Sequence, residues 1–188
     1  MSTASPSVAR VLSNTAASVL GMIALGAQSG YDIRRAAERS VRFFWALGPP
    51  QIYAELRRLE EAGLISGHDD ARGRRARRLF EITETGRDAL HDWLISGDVA
   101  TLELRDGEML RLFLADALEP QEAIARVAIV RERSERALEL FARDITPAAA
   151  RTREAGAAFP EHVAGFGREL HEFIVGWCER LEQHLAAQ

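Results

Sequence analysis

The chain has 188 residues, 47% of them hydrophobic and 28% charged, with a net charge of −4, a balance that fits one globular domain or two small ones and excludes a disordered chain. No apolar run reaches the roughly 18 residues needed to span a bilayer, and the opening MSTASPSVAR lacks the apolar core of a secretory signal. The single cysteine, Cys178, excludes an internal disulfide and any multi-cysteine metal site, so a cytoplasmic protein without membrane contact is expected.

Residues 1–13 are Ser/Ala-rich and aperiodic, and read as a loose arm. Ala16, Val19, Leu20, Ile23 and Ala24 then recur at three- and four-residue steps, which predicts a helix ending at Gln28-Ser29-Gly30, with Ser29 placed to cap the next. Ile33, Ala37, Ser40 and Phe44 form the inner stripe of a second helix, with Arg34, Arg35, Glu38, Arg39 and Arg42 turned outward. Leu47-Gly48-Pro49-Pro50 is a turn, and Pro50 suits the first position of a third helix. That helix carries Ile52, Leu56 and Leu59 inward and stops at Gly63.

The period then changes. Leu64-Ile65-Ser66 and Leu79-Phe80-Glu81-Ile82 read as two short strands, with Phe80 and Ile82 on one face and Glu81 on the other, joined by a loop over residues 68–75. Thr83 or Thr85 caps a fourth helix bearing Ala89, Leu90, Trp93 and Leu94, and the Thr85/Asp88 spacing fits a capping box. Ser96-Gly97 closes it, and residues 98–105 form a connector.

The remainder is helical. Met109, Leu110, Phe113, Leu114 and Ala117 mark one helix. Pro120 opens a longer one, with Ala123, Val127, Val130, Ala137, Leu138, Phe141 and Ile145 inward, and Thr146-Pro147 ends it. Residues 147–160 read equally as loop or short helix. From about Glu161 to Ala186, Val163, Phe166, Leu170, Phe173, Trp177, Leu181 and Leu185 make a seam-like stripe. A helix so long in so small a chain either lies along its own domain or is covered by a second copy, and a homodimer through Phe166, Leu170, Phe173, Trp177 and Leu181 is the expectation.

The fold class expected is therefore mainly α. A winged helix-turn-helix of three helices, a β-hairpin wing and a fourth helix (residues 14–97) precedes a helical dimerisation and effector domain (residues 98–188). All the basic residues are Arg. Residues 1–95 hold 13 Arg against 11 Asp and Glu, a net +2, whereas residues 96–188 carry a net −6. This asymmetry is a mild pointer to a polyanion partner for the front half. Arg72, Arg74, Arg75, Arg77 and Arg78 crowd seven residues of the hairpin, where duplex phosphates would relieve their mutual repulsion. In a helix-turn-helix the first turn of the third helix meets base edges, which makes Pro50, Gln51 and Tyr53, with Arg57 and Arg58 beyond them, candidates for double-stranded DNA. Gln51 suits a bidentate pair with adenine, and the Tyr53 ring fits either a phosphate or the wing strands.

The blocks Ser29-Gly30-Tyr31-Asp32-Ile33, Phe44-Trp45, Gly48-Pro49-Pro50-Gln51-Ile52-Tyr53 through Gly63-Leu64-Ile65, and Phe80-Glu81-Ile82-Thr83 through Leu90 resemble, in order and spacing, the PadR-type transcriptional regulators. The resemblance covers roughly residues 15–95, and the acidic helical remainder is similar, more loosely, to that family's dimerisation region. It implies a homodimeric winged-helix regulator, a repressor or an activator, on a pseudo-palindromic operator and often released by a small ligand. It also brings Ser29 and Tyr31 into the DNA-contact set. Two residues depart from the family pattern. Phe80 stands where a wing Tyr is usual, and Pro49-Pro50 replaces a single Pro-Gly turn.

Enzyme readings find little support. His171-Glu172 opens like a zinc-protease helix, but Val175 stands where the second His belongs, and Gly165-Phe166-Gly167 follows no strand. No catalytic residue, metal or cofactor is expected. Trp45, Trp93 and Trp177, with neighbouring Phe residues, line either an effector pocket or simply the core. Cys178 reads as inert packing. The alternatives are a winged helix turned protein-interaction module, and a small-molecule-binding protein without DNA binding.

Overall fold

The computed structural model describes residues 12–70, 77–97 and 104–187, which divide into two compact units, 1–99 and 100–188. The elements of the first are α1 (Asn14–Ala24), α2 (Gly30–Glu38), α3 (Pro49–Glu61), β1 (Ile65–Asp70), β2 (Arg77–Ile82) and α4 (Glu84–Ile95). The elements of the second are α5 (Gly107–Phe113), α6 (Pro120–Leu140), α7 (Thr146–Glu154) and α8 (Phe159–Ala186).

In the N-terminal unit, Leu12 already packs on the core and Ser13 caps α1, so the arm ends before them; residues 1–11 lie outside the described set. Helix α1 stops earlier than Gln28-Ser29-Gly30. Gly26 N–H donates to the Ile23 carbonyl and Ala27 N–H to Met22, closing the last turn around Gly26 at φ 101°. Gly63 does the same for α3, at φ 71° with Leu64 N–H on the Leu59 carbonyl, as its position in the sequence predicts. Helix α2 is shorter than its stripe. The Ser40 hydroxyl takes the Ala36 carbonyl, the chain turns, and Phe44 is exposed instead of inward. Val19, Leu20, Ile23, Ile33, Ile52, Leu56, Leu59, Ile65 and Phe80 form one core, sealed in part by Ile82 and Leu90. The three helices thus pack around α1, while the hairpin lies against α1 and α3.

The hairpin is longer than the sequence suggests. Its antiparallel register runs from Ile65↔Ile82 to Asp70↔Arg77, so His68, Asp69 and Asp70 are strand residues, and only 71–76 separate the strands. Thr83, not Thr85, caps α4: its hydroxyl oxygen accepts from Gly86 N–H and donates to the Gly63 carbonyl. Thr85 lies inside the helix, so the Thr85/Asp88 box does not form. Leu94 on this helix is exposed.

In the C-terminal unit, α8 packs along α6 and against α7. Val127, Val130 and Cys178 are buried there, with Ile174, Trp177, Leu181 and Leu185 against them, and Phe141 and Ile145 are buried near the end of α6. The chain does not break at Thr146-Pro147. A wider turn over residues 141–145, with Thr146 N–H donating to the Phe141 carbonyl, shifts the hydrogen-bond ladder by one residue. Proline, which has no N–H to give, is then accommodated in the first turn of α7. Residues 147–160 are therefore mostly helix. Residues 107–117 are not one helix either, because α5 gives way to a single 3₁₀ turn at Ala115–Ala117. Within this unit Leu110, Phe113 and Leu114 are exposed.

Candidate nucleic-acid interface

The first turn of α3 begins at Pro49, one residue before the position assigned to it, with Pro50 second. Gly48 has no side chain with which to cap that turn. Gln51 reaches back instead, its Oε1 accepting the Gly48 N–H at 2.9 Å. Gln51 is exposed, but this cap orients its amide toward the backbone, so a bidentate pair with adenine requires the cap to open. Tyr53, half exposed, lies over the start of α2, where any Cβ at Gly30 would collide with its ring. Gly30 therefore lets α2 and α3 approach each other. Tyr31 is exposed, with the Arg34 guanidinium 5.4 Å from its ring centre.

Farther along α3, Arg57 is exposed and has no charged partner among the described residues. The Arg58 side chain is 71% exposed and pairs at 3.0 Å with Glu55. Glu55, on the same helix, is buried. Its Oε1 accepts from Arg58 Nη1.

Ser29 is where the structure departs most from the expected contacts. It is 4% exposed. Its hydroxyl donates to Asp32 Oδ2 at 2.7 Å and accepts from Asp32 N–H at 3.2 Å and Arg77 Nη2 at 2.9 Å. One donor and two acceptor sites are all a serine hydroxyl has, so none remains for a phosphate. Ser29 is a cap, not a DNA contact. Arg77 pairs with Asp32 as well as Ser29, and Arg78 bridges Glu60 at 2.5 Å and Asp69 at 3.1 Å. Phe80 N–H donates to the Gln28 carbonyl at 2.7 Å. The base of the wing is thereby tied to both α2 and α3. Arg72, Arg74 and Arg75 lie outside the described residues. The sequence reading missed Asp32 and Glu60 as wing partners. Only the Ser29-x-x-Asp32 spacing hints at the first, and as a cap rather than a tie.

The expected dimer stripe divides. Trp177 and Leu181 pack into their own unit's core, whereas Phe166 is 63% and Phe173 62% exposed, with Leu170 partly so. Trp45 and Trp93 belong to the N-terminal unit. Trp177, in the other, lines an apolar cleft of about 380 Å³ with Met109, Leu112, Phe113 and Leu181. Cys178 is buried and its thiol pKa is pushed up by desolvation, which leaves it unreactive. Among the described residues no cluster could hold a metal ion, and no helix is long and apolar enough to cross a membrane.

Residues 19–92 match the transcriptional regulator PadR-like family, and residues 104–186 match the virulence activator alpha C-terminal family. The negative transcriptional regulator PadR of Bacillus subtilis is 32% identical over 106 residues, 56% of this chain and 58% of its own length. The chain thus spans little more than half of that relative. The fold compares over more of the chain. The B. subtilis PadR structure in complex with operator DNA matches at a TM-score of 0.76 and 23% identity, covering 90% of this chain and 98% of that one. The same protein in complex with p-coumaric acid matches at 0.69 and 22% identity, over 97% and 99%. By its sequence blocks, its winged-helix fold and these matches, residues 19–92 form a domain of the transcriptional regulator PadR-like family.

Proposed function

We propose that the protein is a homodimeric repressor in the cytoplasm that binds a pseudo-palindromic operator and is released by a small-molecule effector. The observation that carries the DNA reading is the basic wing, tied to the start of α2 and the end of α3, in the half of the chain with a net positive charge. Affinity comes from Arg57, Arg58, Arg72, Arg74 and Arg75 on phosphates, with the Tyr31 and Tyr53 hydroxyls beside them. Sequence choice comes from Pro50 and Gln51 at the groove. Two copies would set their recognition helices about 34 Å apart, one turn of B-DNA. Repression and effector release are carried over from the B. subtilis relative, described as a negative regulator and solved with p-coumaric acid.

A duplex selected from a random-sequence pool by the wild-type protein provides the test. Replacing Arg74 and Arg75 together with Ala is expected to weaken selected and random duplexes alike, and to reduce the slope of log K against log salt by about 0.9 for each phosphate the protein no longer neutralises. An unchanged slope removes the wing tip from the interface, and failure to select any duplex removes the regulator reading.

A further inference from the structure

Arg77 and Arg78 are neighbours on β2, and successive strand residues face opposite ways. Arg77 meets Asp32 and Ser29 at the start of α2, and Arg78 meets Glu60 near the end of α3 and Asp69 across the hairpin. Each is about half exposed, and an exposed pair alone contributes little. These pairs do not stand alone. The Arg77 pair shares a buried serine hydroxyl, and the backbone beside it is fixed by the Phe80 N–H on the Gln28 carbonyl. The Arg78 pair lies so close over β1 that any Cβ at Gly67 would collide with both the Glu60 carboxylate and the Arg78 guanidinium. The missing side chain at Gly67 leaves open the space that the ends of these two charged side chains occupy.

We propose that Arg77 and Arg78 are positioning residues rather than phosphate contacts. They clasp the wing to the two helices of the helix-turn-helix through Asp32 and Glu60, and so fix the direction in which the hairpin meets DNA. The inference rests on the DNA-binding reading above and deepens it. Its consequence runs against simple electrostatics. Asp32 and Glu60 are carboxylates beside a polyanion site, and removing either should by charge alone tighten binding. As clasp partners, their removal loosens it.

The test compares Asp32→Asn, Glu60→Gln, Arg77→Ala and the charge swaps D32R/R77D and E60R/R78E with wild type on the selected duplex, over a range of salt. Each single variant is expected to bind about tenfold more weakly with the salt slope unchanged, and each swap to recover most of that affinity. Amide exchange measured without DNA reads the clasp by itself, with β1 and β2 exchanging faster in the single variants and returning toward wild type in the swaps. Tighter binding by Asp32→Asn and Glu60→Gln, or a slope reduced by about 0.9 in Arg77→Ala, would overturn the proposal and make these arginines phosphate contacts. Failure of both swaps on both readouts overturns it too. A wild-type protein that binds no duplex sinks the regulator reading instead, and the clasp is then decided by the exchange of the hairpin amides alone.

Discussion

At the scale of single residues, Gln51 has two tasks that compete. Its amide oxygen satisfies the Gly48 N–H that glycine cannot cap, and the same amide is the group suited to adenine. The two tasks separate in Gln51→Glu. A carboxylate is as good a cap and sits well at the positive end of a helix, so thermal stability should be held or raised. The amide N–H donors are gone, and the ratio of selected to random duplex affinity should fall by the equivalent of about 1–3 kcal/mol. Thermal melts and competition binding on the same preparation check both halves; a specificity ratio left intact would assign Gln51 to the cap alone. The cap is hard to read from the chain. Gln three residues beyond a glycine is a weak signal, because half of the usual capping box is missing. Ser29 misleads for the opposite reason. Its place in a family block points to DNA, while the partner that fills its hydroxyl, Arg77, lies 48 residues away.

At the scale of elements, the local features are the readable ones. Alternation places Phe80 inward and Glu81 outward, and Gly63 ends α3, since both depend only on adjacent residues. What joins distant elements is not readable, such as the tie of Asp32 to Arg77 across 45 positions. Nor is the wide turn at 141–145, which lets a helix run through Pro147 where the proline alone reads as a stop. On α8 the seven-residue stripe is real but mixes two surfaces. Trp177 and Leu181 pack against α6 in the same unit, while Phe159, Val163, Phe166, Leu170 and Phe173, at alternating four- and three-residue steps, retain exposed apolar area. That spacing fits a coiled-coil seam, and it is the face proposed for the second copy. Phe166→Glu with Phe173→Glu places charges on that seam without touching the α6 contact. Sedimentation should show monomers, with helicity retained and operator affinity lowered because one half-site then binds alone. A dimer that persists moves the interface elsewhere, whereas loss of helicity would show that the two rings support their own unit.

At the scale of the whole molecule, the charge is divided between the two units. Residues 1–95 carry a net +2 and include the arginines proposed to meet DNA, whereas residues 96–188 carry a net −6. A negative segment repels a duplex, so DNA approaching it non-specifically is disfavoured. The acid response is divided in the same way, because the ionisable carboxylate and imidazole groups with clear shifts belong to the C-terminal unit. His171 touches the fully buried Ser134 hydroxyl at 3.3 Å, and desolvation, then the Arg133 charge, holds its pKa below the usual 6.5. Asp106 caps α5 and accepts two hydrogen bonds from Arg133, chiefly for which its pKa lies below the ordinary 3.8. Both folded-state values are lower than the unfolded ones, so the unfolded chain binds more protons and acid favours unfolding. The His171 contribution is fully present above about pH 6.5 and is lost as pH falls from there through its depressed value; that of Asp106 is lost only below about pH 3.8. Trp177 reports on the C-terminal unit. Its fluorescence, isolated in a chain with Trp45 and Trp93 replaced by Phe, should show the urea midpoint falling between pH 7 and 5. His171→Phe, which cannot take the proton, should flatten that first decline and leave the second in place. A midpoint that falls equally in the variant would move the acid sensitivity away from His171 and onto the carboxylates.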